Sequence, residues 1–358
     1  MKKQYFVMAV AAIFAWATVC SCGSKDKSST AQTDDADEEI VEDDEDEDEA
    51  DEEFNDKADY FYLSADMALL DLYGPVQSAV YSERNQADVN LRFGCDAYLI
   101  SMTRIVDGKP EVANLLRDAR GRITDIEWYS DDPWVTMFDY GQDIMPQPVL
   151  YISTNRMGNS VTFEFTRDDY GRINHVERTE TVHFGEVEDQ PAVSIKMGDT
   201  DSYGNWLQCT IDEGDYGKNV IKRSIKYNKD DGSKLQSALD KEQKKVKAFI
   251  TDMYNNYKYG DEDFLKEHCT ERLLNQLREA YEYDGEGYAF WLFRTSSTDG
   301  LGDGTRVVDV NTDDGLWYVY DFYDGSMRGK NRVKCVVVDG KVWMDEVERL
   351  YDEAAETN

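Results

Sequence analysis

The chain has 358 residues, 41% of them hydrophobic, 23 tyrosines and a formal net charge of −35. One hydrophobic core seldom supports so long a chain, so two domains plus unstructured leaders are expected. Acidity of this size argues against nucleic acid as a partner, since phosphate is repelled. About half of it sits in residues 34–56, which leaves the folded remainder moderately acidic.

Lys2 and Lys3 precede an apolar run over residues 5–19, too short for a stable membrane span and built like a secretory leader. The run ends in Val19-Cys20-Ser21-Cys22-Gly23, which resembles the lipobox of bacterial lipoproteins. An aliphatic residue stands at −3, a small one at −1, and Cys22 is the residue to be modified. The resemblance implies that residues 1–21 are a signal peptide, that Cys22 is lipidated, and that the chain is anchored in the cell envelope. Several acyl chains, at about 0.8 kcal/mol per buried methylene, hold a protein to a membrane almost permanently. Gly23 in place of Asp argues against inner-membrane retention, so the outer membrane is expected, on its surface or periplasmic face. Residues 22–58 cannot bury apolar surface and repel themselves; they are expected to be an acidic disordered tether with about 30 to 35 Å of reach.

Residues 59–230 show a recurring turn signature: Arg117-Asp-Ala-Arg-Gly-Arg-Ile123, Arg167-Asp-Asp-Tyr-Gly-Arg-Ile173, Thr200-Asp-Ser-Tyr-Gly-Asn-Trp206 and a looser Asp215-Tyr-Gly-Lys218. Gly121, Gly171, Gly204 and Gly217 supply positive φ, the acidic residues accept local backbone hydrogen bonds, and alternating flanks predict antiparallel hairpins. The pattern resembles YD-repeat proteins, with Leu72-Tyr-Gly-Pro-Val76 as a further partial match, and implies an open or curled antiparallel sheet with a structural role. The segment beginning Asp199-Thr-Asp201 starts like a calcium loop. Tyr203 and Thr210 stand where that loop needs oxygen ligands, so a turn is the reading.

Residues 228–234 are polar and mark a domain boundary. Val246, Phe249, Ile250, Met253, Tyr254 and Tyr257 then fall on one face of an amphipathic helix ending near Gly260. Asp261 is placed to start a short helix, and Thr270 to cap another bearing Leu273, Leu274, Leu277 and Tyr281. Strands are expected over residues 305–310, 316–323, 332–338 and 341–347, the last two joined by Asp339-Gly340. The fold class is therefore α+β: an antiparallel β domain over 59–230, an α+β domain over 231–350, and a disordered tail over 351–358. The order of elements in the second domain resembles the cone-shaped fold of nuclear transport factor two and ketosteroid isomerase, which implies a curved antiparallel sheet around a long helix. The block from Tyr281 to Trp291 also resembles uncharacterised secreted lipoproteins.

If such a cone holds a pocket, Arg294, Tyr318, Asp321, Trp343 and Asp345 are the candidate lining residues, because the two carboxylates interrupt apolar strands. A solvent-facing strand position explains the carboxylates as well. A filled cone would instead be occupied by Trp291, Trp317 and Trp343. No metal-ligand spacing, phosphate loop, dinucleotide fingerprint or nucleophile elbow occurs, so no cofactor and no catalytic group is expected. Cys95, Cys209, Cys269 and Cys335 are scattered singly and read as buried free thiols, with a Cys269–Cys335 bridge left open. The expectation is a non-enzymatic lipoprotein that binds an envelope protein or a glycan. The alternative is an enzyme or small-ligand binder using the C-terminal pocket.

Overall fold

The structure is a computed structural model. It describes residues 62–354 except 85, 130–133, 141–147, 149, 156–159, 168–172, 183–185, 189–193, 213–217, 230–231, 295–303 and 326. The expected signal peptide, Cys22, the expected tether and the turns expected at Gly171 and Gly217 lie outside the described residues. Among those described, no helix is long and apolar enough to cross a membrane.

A short helix that the turn pattern does not announce comes first: α1 (Ala65–Leu69), capped by the Ser64 hydroxyl, which accepts from the Met67 amide at 3.1 Å. Strands β1 (Val76–Glu83), β2 (Val89–Phe93), β3 (Leu99–Val106) and β4 (Lys109–Val112) follow. They are succeeded by β5 (Asn114–Arg117), β6 (Ile123–Glu127), β7 (Trp134–Asp139), β8 (Leu150–Asn155), β9 (Ser160–Arg167), β10 (Ile173–Val182) and β11 (Glu186–Glu188). The region closes with β12 (Ser194–Met197), β13 (Gln208–Asp212) and β14 (Lys218–Tyr227). They form two seven-stranded antiparallel sheets, ordered β12-β13-β14-β1-β2-β3-β4 and β11-β10-β9-β8-β7-β6-β5. The chain passes from one sheet to the other at buried Ala113, whose amide still donates to the Met102 carbonyl at 3.0 Å. Both inner faces and α1 share one core, in which Leu91, Phe93 and Ile211 of the first sheet meet Ile126, Phe138 and Tyr151 of the second.

The two described repeat turns are built alike, which confirms their reading as geometry. The Asp118 amide donates to the Arg122 carbonyl and the Gly121 amide to the Asp118 carbonyl, both at 2.9 Å; Asp201, Gly204 and Asn205 repeat the pattern at 2.9 Å. In each, one aspartate oxygen accepts the amides two and four residues on, at 2.9 to 3.0 Å. Gly121 and Gly204 sit at φ +79° and +84°. A third copy escapes the sequence pattern because Ala97, at φ +63°, stands where the others have glycine: Gly94 bonds Tyr98, and the Ala97 amide bonds the Gly94 carbonyl.

The long helix α2 (Ser233–Asn255) begins a dozen residues before the apolar stripe and ends before its last predicted member. Val246, Ile250, Met253 and Tyr254 are buried on it, but Tyr257 lies beyond its end at φ +55°, where the chain breaks into a 3₁₀ turn at Lys258–Gly260. Helices α3 (Glu262–His268) and α4 (Glu271–Glu279) carry the caps expected of Asp261 and Thr270. Four antiparallel strands close the chain in the order β15 (Arg306–Thr312), β16 (Trp317–Asp324), β17 (Met327–Val338) and β18 (Lys341–Ala354). Asp339 and Gly340, at φ +50° and +75°, make the expected two-residue turn. Strand β18 runs to Ala354, well into the expected tail, because its outer half pairs with Met327, Arg328, Gly329 and Lys330. Helices α2, α3 and α4 pack on this sheet, giving a second core separate from the first.

Candidate functional site

The five residues selected from sequence fall in three places. Strand β16 alternates strictly: Tyr318, Tyr320, Phe322 and Asp324 point inward, while Trp317, Val319, Asp321 and Tyr323 face out. Tyr318 is therefore core, and Asp321 shares the outer face with Arg328 at 3.6 Å and Lys330 at 3.9 Å. Trp343 is also outside the core, with the Lys341 ammonium 4.4 Å from its ring centre. Trp291 and Trp317 are likewise only half-buried. Tyr254, Tyr259, Tyr320, Phe293 and Phe322 occupy the interior, and the three tryptophans weighed as its filling do not.

Arg294 lies within this interior. Its guanidinium donates to both oxygens of Asp324, at 2.7 and 2.9 Å, and both side chains are fully buried. Burial alone would lower the arginine's pKa; the Asp324 hydrogen bonds together with the electrostatic pull of Tyr259, Asp324 and Tyr257 outweigh it and raise it, so the guanidinium stays charged. The signal for Asp324 was present in the sequence, since it shares parity with Tyr318, Tyr320 and Phe322. The hydroxyls of Tyr254 and Tyr259, both buried, have no hydrogen-bond partner among the described residues. Burial pushes both phenols above their ordinary pKa, so they are neutral donors.

Asp345 sits elsewhere, at the junction of the two domains. Between Lys334 and Cys335 the β17–β18 register shifts, so Asp345 is the extra residue of a bulge and turns inward beside buried Met344. There it accepts from the Thr270 hydroxyl at 2.9 Å, Arg272 at 3.1 Å and Lys334 at 3.1 Å. Glu346 pairs with the same two cations at 2.8 and 3.3 Å. From the β domain, the Asn114 side-chain oxygen accepts from Arg272 at 2.8 Å and from Lys334 at 2.5 Å, and the Tyr129 hydroxyl from Asn275 at 2.5 Å. Arg92 grips Glu242 of α2 with two bonds of 3.0 Å, and Lys109 reaches Glu271 at 3.1 Å. The β domain is locked in the same way internally: Asp66 of α1, fully buried, accepts two bonds from Arg117 and one from the Leu99 amide. Sequence could not announce partners such as Asp66 with Arg117 and Asn114 with Lys334, which lie 51 and 220 residues apart.

Cys269 and Cys335 are free and buried, as is Cys209, whose thiol burial pushes up to about 12; Cys95, contrary to expectation, is exposed. Among the described residues no group of three or more metal-ligating side chains gathers.

An aromatic surface cluster lies between α4 and the 3₁₀ turn Phe290–Phe293. Tyr281, Tyr283 and Trp291 form a cluster with ring centres 5.6 to 5.8 Å apart, and Tyr283 is 67% exposed. Glu279, Glu282, Asp284 and Glu286, all exposed, neighbour the cluster's residues in the sequence.

No family model matches the chain, and no curated protein does. Among solved structures, a porin-like protein from Bacteroides uniformis aligns over 78% of this chain and 96% of its own, with 9% identity and a TM-score of 0.23. A likeness that weak carries no information about fold or function.

Proposed function

We propose that the chain is a lipoprotein of the bacterial envelope, anchored in the outer membrane through lipid on Cys22, and a non-enzymatic binding protein. The YD-repeat-like sheets serve as scaffold, the acidic segment holds them clear of the membrane, and the C-terminal α+β domain, read as the cone-shaped type, presents the binding surface. One observation carries the binding reading: the polar side chains that sequence offers as chemistry, Arg294, Asp321 and Asp345, are all engaged in ion pairs, whereas the Tyr281–Tyr283–Trp291 cluster stands on the surface. Its ligand is an envelope protein or a glycan.

The test has two parts. Cys22→Ala should release the chain from the membrane fraction, and mass spectrometry of the processed N-terminus should show acylated sulfur in the unsubstituted chain. In-cell crosslinking from position 283 should capture an envelope component. Membrane retention of Cys22→Ala refutes the anchor, and empty crosslinks from position 283 and from the other faces of the chain refute the binding reading.

The orphaned hydroxyls of Tyr254 and Tyr259 beside Arg294 and Asp324 favour a second reading, a small polar ligand held inside the C-terminal domain. A ligand recovered from the natively purified chain, and lost on Tyr254→Phe with Tyr259→Phe, would establish it.

A further inference from the structure

The aromatic cluster on the C-terminal domain is pre-formed. The Tyr281 ring lies over Gly287, where an added Cβ would come within 2.5 Å of it. The Trp291 carbonyl accepts from Arg349 at 2.7 Å, and the loop is pinned at both ends by the Tyr281 amide on the Arg278 carbonyl and the Ala289 amide on the Leu277 carbonyl. The Tyr281 and Trp291 rings are inclined by only 28°, and Tyr283 stands edge-on to Trp291 at 87°. The loop and the Tyr281 ring are held before any ligand arrives, which lowers the ordering cost of binding.

Along the sequence the charge of this segment is of one sign, while across space Arg349 donates to the Trp291 carbonyl and Arg278 approaches the Tyr288 ring. No lysine or arginine lies between Arg278 and Arg294 in the sequence. Several other carboxylates of the same domain are paired, Glu271 with Lys109 and Arg278, Asp321 with Arg328, Glu348 with Arg332, although Asp263, Asp309, Asp314 and Asp339 are not, among the described residues. Glu279, Glu282, Asp284 and Glu286 have no ion-pair partner among the described residues.

We infer that this surface docks a cationic segment of a partner protein, whose arginine or lysine side chains lie on the exposed rings and pair with the flanking carboxylates. The inference rests on the binding-protein reading above and names the chemistry of its partner. Ring faces and carboxylates are both negative, and they attract the same cation. A second copy of a chain with a net charge of −35 is repelled. A neutral glycan would use the rings but gain nothing from four unpaired charges.

The experiment is fluorescence anisotropy with a labelled peptide of alternating arginine and glycine, titrated with the full-length chain in detergent at low and physiological salt. The acidic run at 34–56 also attracts such a peptide, so the variants leave it intact. Tyr283→Ala, which removes an exposed ring and no charge, should weaken binding about 2- to 5-fold, the effect of an exposed cation–π contact. Glu282→Gln with Asp284→Asn and Glu286→Gln should weaken it at least ~5-fold at low salt, with the difference shrinking at high salt. Circular dichroism should be unchanged, since all four side chains are exposed. Equal binding by all variants, or no binding of the peptide at all, overturns the inference. So does a neutral oligosaccharide that binds more tightly than the peptide and is sensitive only to Tyr283→Ala. Crosslinks to a partner through another face would then leave the binding-protein reading standing while this inference falls.

Discussion

Replacing Asp345 by alanine tests whether the bulged carboxylate holds the two domains together. The substitution leaves Arg272 and Lys334, whose side chains are only 10% and 8% exposed, facing Asn114 and the partly exposed Glu346. It also strips the Thr270 hydroxyl, the cap of α4, of its acceptor. Breaking a buried pair costs about 3 to 5 kcal/mol when nothing replaces the lost charge. Glu346 compensates part of that, which places the expected cost near the lower end, about 3 kcal/mol. For a chain of this size that corresponds to a Tm lower by roughly 6 to 12 °C, read by calorimetry on the full chain. The control is Glu348→Ala, which removes a surface partner of Arg332 with 49% of its own side chain exposed; it should shift Tm by no more than about 2 °C. A triple replacement, Asp345→Leu with Arg272→Met and Lys334→Met, should recover most of the loss, because no charge is then left buried alone. If Asp345→Ala and Glu348→Ala shift Tm equally, the junction is not held by this network.

Asp324→Ala, which isolates fully buried Arg294, should cost about 3 to 5 kcal/mol and abolish the near-ultraviolet signal of the surrounding tyrosines. Gly121→Ala should cost about 1 to 2 kcal/mol in urea unfolding, an entirely conformational effect, since φ is +79° and the nearest atom to an added Cβ is 3.9 Å away. Burial pushes the carboxyl of Glu271 up, but hydrogen bonds from Arg278 and Lys109 prevail and hold it below its usual 4.5. A depressed carboxylate contributes stability that is fully present above the unfolded value and lost as pH falls through the folded one. The Lys109→Met chain should therefore differ most from the unsubstituted chain in urea midpoint above pH 4.5, and the difference should fade as pH falls further, through the depressed folded value of Glu271. Of the four thiols of the folded part, only Cys95 should react with maleimide before unfolding, because Cys209, Cys269 and Cys335 are buried.

Local features were legible in the sequence wherever one residue type answers one backbone demand. Asp118 with Gly121, Asp201 with Gly204 and Asp339 with Gly340 announced their turns, and Asp261 and Thr270 their helix starts, because each partner lies within four residues. The third repeat turn was hidden by Ala97, a residue that reaches positive φ only when tertiary contacts hold it there; its side chain is buried in the core. Tyr257 was read onto α2 because apolar spacing continues past the helix's end, and nothing in that spacing reports the break at φ +55°.

What the chain determined by itself is the alternation of turns and strands, the amphipathic face of α2, the acid-rich leader and the two-part α+β layout, since each depends on neighbours in sequence. Tertiary structure alone decided where the ionisable side chains go. Asp321 and Asp345 look equivalent on paper, both carboxylates in apolar strands. The alternation of β16 turns the first toward solvent and a one-residue bulge turns the second into the domain junction. A bulge shifts every later side chain by one position on a two-residue period, and its presence is set by the partner strand and by the arginine and lysine awaiting the carboxylate rather than by any residue beside it.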